Sequence, residues 1–195
     1  MKQHNPEQPA QWYDDHYDSA ILPQRHYAAS KYYFLWALVA SKILSLGPRP
    51  KHVLDLGCGT GQFGALLWDQ GVTGYTGVDF SYEAIRLANR ALPEHYFLIQ
   101  GNLLVASWPR DYDCVVLIET LEHIERDMAV LAKIKPGVPV VLTVPDFASE
   151  SHVRYFENEI DVADRYEDLF WSGVYVERWK CKRDASFFIL QGVKK

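Results

Sequence analysis

Short runs of apolar residues alternate along this chain with segments in which apolar positions recur at helical spacing. The segments at 32–46, 62–70, 82–91 and 159–168 predict helices, and those at 53–56, 95–100, 114–118 and 138–144, with another ending at 78–81, predict strands. The stretches 175–181 and 186–191 predict an antiparallel hairpin. Runs that are apolar on both faces, such as 114–118, are typical of the centre of a parallel sheet.

After the first strand, apolar residues give way abruptly to alternating glycines in Val53-Leu54-Asp55-Leu56-Gly57-Cys58-Gly59-Thr60-Gly61. Glycine permits positive φ angles and lets a ligand lie directly on the backbone, so the loop is suited to cofactor binding. Residues 59–64 also satisfy the dinucleotide spacing G-x-G-x-x-G. Asp55 separates the two interpretations, because a carboxylate there disfavours a pyrophosphate and favours a cofactor with a sulfonium or amino group.

These residues resemble motif I of the class I S-adenosylmethionine (SAM) dependent methyltransferases. The resemblance implies a Rossmann-like α/β fold, with a seven-stranded, mostly parallel sheet whose last strand is antiparallel and helices on both faces. It also implies SAM as the cofactor and methyl transfer as the reaction. On this interpretation residues 1–46 form an N-terminal helical cap and residues 47–195 form one methyltransferase domain.

The remaining cofactor contacts are expected at the ends of the second and third strands. Asp79 is placed to accept hydrogen bonds from both hydroxyls of a ribose, whereas capping of the helix 82–91 is better done by Ser81. Asn102 stands where SAM methyltransferases often carry an acid for the adenine amino group, and its carbonyl can also accept. The predicted cofactor-binding residues are Asp55, Gly57, Cys58, Gly59, Gly61, Asp79, Phe80, Asn102, Leu103 and Glu119.

Residues able to bind a metal follow the fourth strand, in Glu119-Thr-Leu-Glu122-His123-Ile. If a helix begins near Thr120, the two glutamates and the histidine converge from one side of the turn. With His152 beyond the fifth strand, they resemble the metal site of small-RNA 2′-O-methyltransferases and ubiquinone-pathway O-methyltransferases. The resemblance implies a divalent cation, and two imidazoles admit Fe²⁺, Mn²⁺ or Zn²⁺ as well as Mg²⁺. The predicted metal ligands are Glu119, Glu122, His123 and His152.

The same residues have two other interpretations. Acids at the start of a helix compensate its dipole without any ligand. Without a metal, His123 or His152 can serve as the general base, because an unperturbed imidazole titrates at about 6.5. These two are the predicted catalytic residues, and the histidines at 4, 16, 26, 52 and 95 are interpreted as structural or exposed.

The N-terminal region carries aromatic side chains on a charged background between Trp12 and Tyr33. Such a segment predicts either a lid that closes over a ligand or a helix that its rings pack against the sheet, and the sequence does not decide between them. Residues 1–11 are polar and contain two prolines, so they are expected to be poorly ordered unless they close over a ligand.

Composition narrows the expected partners and location. The net charge of −5 and the pI near 5.8 give no overall basic field, so DNA is not expected and an RNA end is disfavoured. Three cysteines without C-x-x-C spacing argue for reduced thiols and a cytoplasmic location. The apolar stretch 32–41 is too short to span a membrane.

The sequence therefore favours a SAM-dependent O-methyltransferase acting on a hydroxyl of a small molecule, with metal assistance where a cation is bound. Vicinal hydroxyls, as in a catechol, can chelate such a cation. The alternatives are an RNA 3′-terminal 2′-O-methyltransferase, a non-catalytic SAM-binding regulator, and a nicotinamide oxidoreductase, which Asp55 opposes. Oligomeric state has no signature in the sequence.

Overall fold

The computed structural model describes residues 1–3, 5–19, 26–182 and 184–195. His4 and residues 20–25 of the aromatic segment therefore lie outside the described residues. The chain divides into two compact units, Pro9–Val115 and Met1–Gln8 with Val116–Lys195. In chain order the elements are β1 (Lys2–Gln3), α1 (Ala10–Ser19), α2 (Tyr33–Leu44), β2 (His52–Leu56), α3 (Gln62–Asp69), β3 (Gly74–Asp79), α4 (Tyr82–Ala91), β4 (Phe97–Gln100), β5 (Cys114–Ile118), α5 (Asp127–Ala132), β6 (Pro139–Pro145), β7 (Arg154–Tyr155), α6 (Glu159–Tyr166), β8 (Phe170–Lys182) and β9 (Ala185–Lys194).

Seven of these strands form the mostly parallel sheet that the sequence predicts. In the unit Pro9–Val115 the strands run in the order β4-β3-β2, and both neighbouring pairs are parallel. In the other unit, β9 pairs antiparallel with β6 and with β8. Leu54 of β2 and Leu142 of β6 are fully buried, as expected for strands covered on both faces. The Rossmann-like α/β fold class is confirmed.

Several predicted boundaries are confirmed because local chemistry fixes them. Helix α4 and strand β5 begin and end at the predicted residues. The Ser81 hydroxyl caps α4 by accepting from the Ala84 amide at 3.0 Å. The C-terminal hairpin is longer than predicted, since β8 extends from Phe170 to Lys182. Within the described residues, none of the helices is both long and apolar enough to cross a bilayer.

Two local predictions are wrong. After Thr120 the chain forms a 3₁₀ helix of three residues, Leu121–His123, and the next α-helix begins at Asp127. The carbonyls of Leu121 and Ile124 accept from the Arg154 guanidinium instead of from amides further along an α-helix.

The N-terminal residues are the second case, because the structure gives them ordered partners instead of the expected disorder. Strand β1 pairs antiparallel with β7. The Asn5 amide donates to the His152 carbonyl at 3.0 Å, and the Asn5 side chain donates to the Ser149 carbonyl at 2.9 Å. Hydrogen bonds to residues distant in sequence thus order a segment that has no apolar pattern of its own.

Candidate functional site

The glycine loop of the unit Pro9–Val115 has a backbone shape that favours glycine. Gly57, Gly59 and Gly61 have φ angles of 85°, 52° and 78°. A Cβ atom on Gly61 would lie 2.7 Å from Leu92 Cδ1, so a side chain has no room there. The Gly57 amide donates to the Val78 carbonyl at 2.7 Å, which fixes the loop against β3. The loop thus has the positive φ angles that the sequence predicts, and its contact with Leu92 leaves no room for a side chain at position 61.

Asp79, the predicted ribose ligand, connects the glycine loop to the turn after β3. Its Oδ2 accepts from the Gly59 amide and its Oδ1 accepts from the Ser81 amide, each at 2.9 Å. Burial raises the pKa of Asp79 above its usual value, although these backbone hydrogen bonds act in the opposite direction. Each carboxylate oxygen has a second lone pair, so the same oxygens can also accept from ribose hydroxyls.

Asp55 is a buried acid whose pKa lies close to neutral pH. It is 2% exposed, and the Tyr75 hydroxyl donates to its Oδ2 at 2.6 Å. Burial raises the pKa of Asp55 to about 7, outweighing the hydrogen bond from Tyr75, and the charge of Asp79 adds to the rise. A cationic group bound beside Asp55 would lower that pKa and favour the ionised form.

The other predicted cofactor residues of this unit have local partners. The Asn102 side-chain oxygen accepts from the Leu104 amide at 2.8 Å and so closes its own turn. Leu103 and Cys58 are buried, and burial raises the pKa of the Cys58 thiol well above its usual value. The Phe80 ring lies against the Tyr13 ring, with centroids 5.1 Å apart. Their contacts with a cofactor stay predictions.

Helix α1 covers the turn that carries Asp79. Asp14 Oδ1 accepts from the Ser81 hydroxyl at 2.5 Å and from the Glu83 amide at 3.1 Å. The Tyr17 hydroxyl lies 3.4 Å from the position that a Cβ on Gly59 would occupy. Asp14 and Tyr17 belong to the aromatic and charged segment that the sequence interprets as a lid or a packed helix, and only packing brings them to the glycine loop.

In the other unit, three of the four predicted metal ligands converge. One potential ligand atom of each of Glu122, His123 and His152 lies within 4.8 Å of the others. The first two belong to the 3₁₀ helix Leu121–His123, and His152 precedes β7. Glu122 is fully buried and His152 is 5% exposed. His123 Nε2 lies 3.7 Å from Glu122 Oε1.

Both imidazoles of this cluster are held in the same tautomer by backbone carbonyls. His123 Nδ1 donates to the Ser151 carbonyl at 2.9 Å, and His152 Nδ1 donates to the Phe147 carbonyl at 3.0 Å. A carbonyl can only accept, so each Nδ1 carries a proton and the lone pair of each neutral ring lies on Nε2. Burial lowers the pKa of His123 to about 4, which keeps this ring neutral at physiological pH. This is the form of histidine that binds a metal.

Glu122 is a buried acid whose carboxylate lacks a hydrogen-bond donor among the described residues. Across the described part of the chain, neither of its buried carboxylate oxygens accepts from a hydrogen-bond donor. Burial and the charge of Glu119 raise the pKa of Glu122 well above its usual value. The Glu119 carboxyl can bond to that of Glu122 only if one of the two acids holds a proton. Buried carboxylates normally have partners, so this pair requires a proton or a cation.

Glu119, the fourth predicted ligand, is turned towards a neighbouring strand. Its amide donates to the Thr143 hydroxyl oxygen, and that hydroxyl donates to Glu119 Oε1, both at 2.9 Å. Its φ of 53° is rare for a residue other than glycine, and such strain concentrates at functional sites. Burial raises the pKa of Glu119 to about 8. Glu119 therefore stands next to Glu122 without being one of the three converging ligands.

An open cavity of about 420 Å³ lies at the β8–β9 hairpin and was not predicted from the sequence. Arg178 and Asp146 pair across it at 2.5 Å. The cavity is lined by Asp146, Arg178, Lys180, Asp184, Ala185 and Ser186. Its two cationic and two anionic side chains balance, so its charge selects no class of ligand.

A family profile described as a methyltransferase domain matches residues 25–183. The chain belongs to this methyltransferase family. Over 96 residues it is 33% identical to a ubiquinone biosynthesis O-methyltransferase of Thiobacillus denitrificans, an alignment that covers 45% of this chain and 41% of that protein. Over 117 residues it is 33% identical to a trans-aconitate 2-methyltransferase of Rhodopseudomonas palustris, covering 53% of this chain and 43% of the relative. The chain thus matches less than half of the length of these relatives.

The fold of this methyltransferase is also found among solved structures. The magnesium protoporphyrin IX methyltransferase of Synechocystis, solved with bound SAM, superposes with a TM-score of 0.67 at 17% identity, covering 95% of this chain and 97% of that one. The resemblance to class I SAM-dependent methyltransferases is confirmed. The glycine spacing also allowed a nicotinamide enzyme, and the family match decides against that alternative.

Proposed function

We propose that this protein transfers the methyl group of SAM to a hydroxyl of a small molecule, with a divalent cation bound by Glu122, His123 and His152. The observation that carries the proposal is the buried Glu122 carboxylate, which lacks a donor among the described residues and lies beside two imidazoles. One carboxylate oxygen and two Nε2 atoms form a donor set that suits Fe²⁺, Mn²⁺ or Zn²⁺. The residues therefore fit a metal.

In this proposal the unit Pro9–Val115 holds the methyl donor. The positive φ angles of Gly57, Gly59 and Gly61 give the loop a shape that lets a cofactor approach its backbone, and Asp79 accepts from the ribose hydroxyls. Asp55 supplies the negative charge that favours the sulfonium and amino groups of SAM over a pyrophosphate. The adenine is assigned to the turn of Asn102 and Leu103.

The acceptor hydroxyl must lose a proton as it attacks the methyl carbon. A bound cation would lower the pKa of that hydroxyl and orient it. The lowered pKa of His123, about 4, makes this imidazole a weak base near neutrality, which favours its role as a ligand over proton transfer. The raised pKa of Glu119, about 8, suits that carboxylate to hold a proton near neutral pH.

Acceptors with vicinal hydroxyls fit this proposal best, because two adjacent oxygens can chelate one cation. The named relatives differ in acceptor, since one is an O-methyltransferase of ubiquinone biosynthesis and the other a trans-aconitate methyltransferase. The net charge of −5 argues against an RNA end, which would need a basic surface.

Mass spectrometry with methyl-labelled SAM tests the proposal. The panel is catechol, its monomethyl ether, trans-aconitate and a short RNA, each with and without a chelator. We expect labelled catechol, little label on the monomethyl ether, and loss of both signals with the chelator. Label on trans-aconitate alone, unaffected by the chelator, would contradict both the hydroxyl acceptor and the metal.

A further inference from the structure

Arg154 connects the two segments that supply the candidate metal ligands. It lies two residues after His152 and its guanidinium reaches the turn that contains the other two ligands. Arg154 Nη1 donates to the carbonyls of Leu121 and Ile124 at 2.5 and 2.6 Å, and Nη2 donates to the Glu125 carbonyl at 2.9 Å. These three carbonyls flank Glu122 and His123 on both sides, so one side chain holds the whole turn.

The guanidinium is itself fixed by a buried acid. Arg154 is 5% exposed, and its Nη1 lies 3.1 Å from Oδ2 of the fully buried Asp127. The same carboxylate accepts from Arg165 at 2.6 and 2.8 Å and from the Tyr166 hydroxyl at 2.9 Å. Because Asp127 has several partners, it holds the Arg154 fork in one orientation.

The turn that carries Glu122 and His123 has little stability of its own. It is a 3₁₀ helix of three residues, and Thr120 makes no side-chain cap bond to it. Besides Arg154, it is held by the Val153 amide, which donates to the Glu122 carbonyl at 2.8 Å. The Glu125 amide also donates to the Glu7 carboxylate at 2.8 Å, and the His123 side chain donates to the Ser151 carbonyl. The carbonyls of the turn are nevertheless held by Val153 and Arg154, which follow His152.

We propose that Arg154 is the positioning residue of the candidate metal site: its guanidinium fixes the Leu121–Glu125 turn to the segment of His152, so that Glu122, His123 and His152 converge. This inference rests on the metal in the proposed function. Lysine cannot replace arginine here, because a single ammonium lacks the planar fork that bonds to three carbonyls and one carboxylate. The role is to position the ligands, and it involves no contact with the substrate.

The test is titration of the purified protein with Co²⁺, followed by its visible absorption, without SAM or substrate. Arg154→Lys should weaken Co²⁺ binding roughly 10- to 100-fold and alter the absorption bands, since displaced ligands change the coordination. Arg165→Lys is the matched control: among the described residues Arg165 makes no bond to the Leu121–Glu125 turn, and its lysine variant keeps a cation beside Asp127. The Tyr166 hydroxyl and the Met128 amide still hold the Asp127 carboxylate in that variant. Arg165→Lys should bind Co²⁺ with wild-type affinity and spectrum, even if its unfolding temperature falls.

Two outcomes overturn the inference while the proposed function stands. One is a folded Arg154→Lys with wild-type affinity and spectrum. The other is an equal loss of Co²⁺ affinity in both variants, in step with their unfolding temperatures. A wild-type protein that binds no Co²⁺ overturns the metal and the inference together.

If Arg154→Lys does not fold, hydrogen exchange of the wild-type protein tests the positioning role of Arg154 instead. Without any metal, residues 121–125 and 151–154 should open together and exchange with the same dependence on urea, because the guanidinium joins the two segments. A different dependence on urea in the two segments would overturn the inference.

Discussion

Asp79 and Glu122 are buried carboxylates in different units, and they differ in the hydrogen-bond donors around them. Asp79 accepts from the backbone amides of Gly59 and Ser81. Glu122 has no donor among the described residues and stands next to a second acid, Glu119. Burial raises the pKa of each acid; the backbone hydrogen bonds of Asp79 oppose the rise, whereas the charge of Glu119 adds to the rise at Glu122. Asp79 is hydrogen-bonded to the glycine loop, whereas the pair of Glu119 and Glu122 requires a proton or a cation.

The largest expected effect comes from changing Glu122, the carboxylate without a hydrogen-bond donor among the described residues. Glu122→Gln should reduce turnover on the order of 10²-fold or more, because a cation contributes several kcal/mol to activation of the acceptor. A chelator should reproduce this loss in the wild type, while calorimetry finds S-adenosylhomocysteine (SAH) affinity nearly unchanged. The exposed Glu94, changed to Gln, is the control. Full turnover of Glu122→Gln in chelator would show that no metal takes part.

Removing Asp79, the carboxylate that accepts from two backbone amides, should affect cofactor binding instead. Asp79→Ala is expected to weaken SAH binding by about 1–3 kcal/mol, because the ribose and the glycine loop both lose an acceptor. Isothermal calorimetry of SAH and of NAD measures this, with the exposed Asp164 changed to Ala as the control. Saturable NAD binding without heat from SAH would reverse the assignment of the glycine loop.

The buried pair of acids, Glu119 and Glu122, should also make the metal-free protein less stable as pH rises. The pKa of Glu119 is raised from 4.5 to about 8, so the folded state keeps a proton that the unfolded chain releases. The stability that this proton contributes should then fall between about pH 4.5 and pH 8, by up to about 1.4 kcal/mol per pH unit. His123, whose pKa is lowered to about 4, acts in the opposite direction below about pH 6.5.

Urea unfolding in chelator at several pH values measures this dependence. Asp55, with a pKa near 7, adds to the fall at lower pH, so the fall from pH 7 to 8 reports on the buried pair Glu119 and Glu122, whose pKa values are both raised. Glu119→Gln should flatten that interval, and Zn²⁺ should do the same in the wild type. A wild-type curve that rises from pH 7 to 8 would refute the buried acid pair.

The smallest expected effect concerns helix α1, which lies over the turn of Asp79. If α1 is part of a lid, SAH should slow its hydrogen exchange severalfold, because binding orders the segment that covers the ligand. Helix α2 of the same unit provides the internal comparison and should change little. Equal exchange in α1 with and without SAH would leave it only a packing role.

The strand and helix periods, the glycine loop and the Ser81 cap could be predicted because neighbouring residues determine them. Asp79 and Asn102 were placed correctly at strand ends, but their hydrogen bonds to Gly59, Ser81 and Leu104 were not foreseen. The helix expected after Thr120 was wrong because a side chain 33 residues away takes the Leu121 carbonyl. Local propensity does not include such a competitor.

By itself, the sequence determined the fold class, the methyltransferase family and the residue types of the candidate metal site. These follow from periodicity, from the backbone freedom of glycine and from the chemistry of individual side chains. Only the tertiary structure decided which ligands converge, which imidazole nitrogen carries the proton, and that Arg154 and Asp127 hold the ligand turn. Those features depend on burial and on contacts between residues far apart in the chain, so they cannot be predicted from a local pattern of residues.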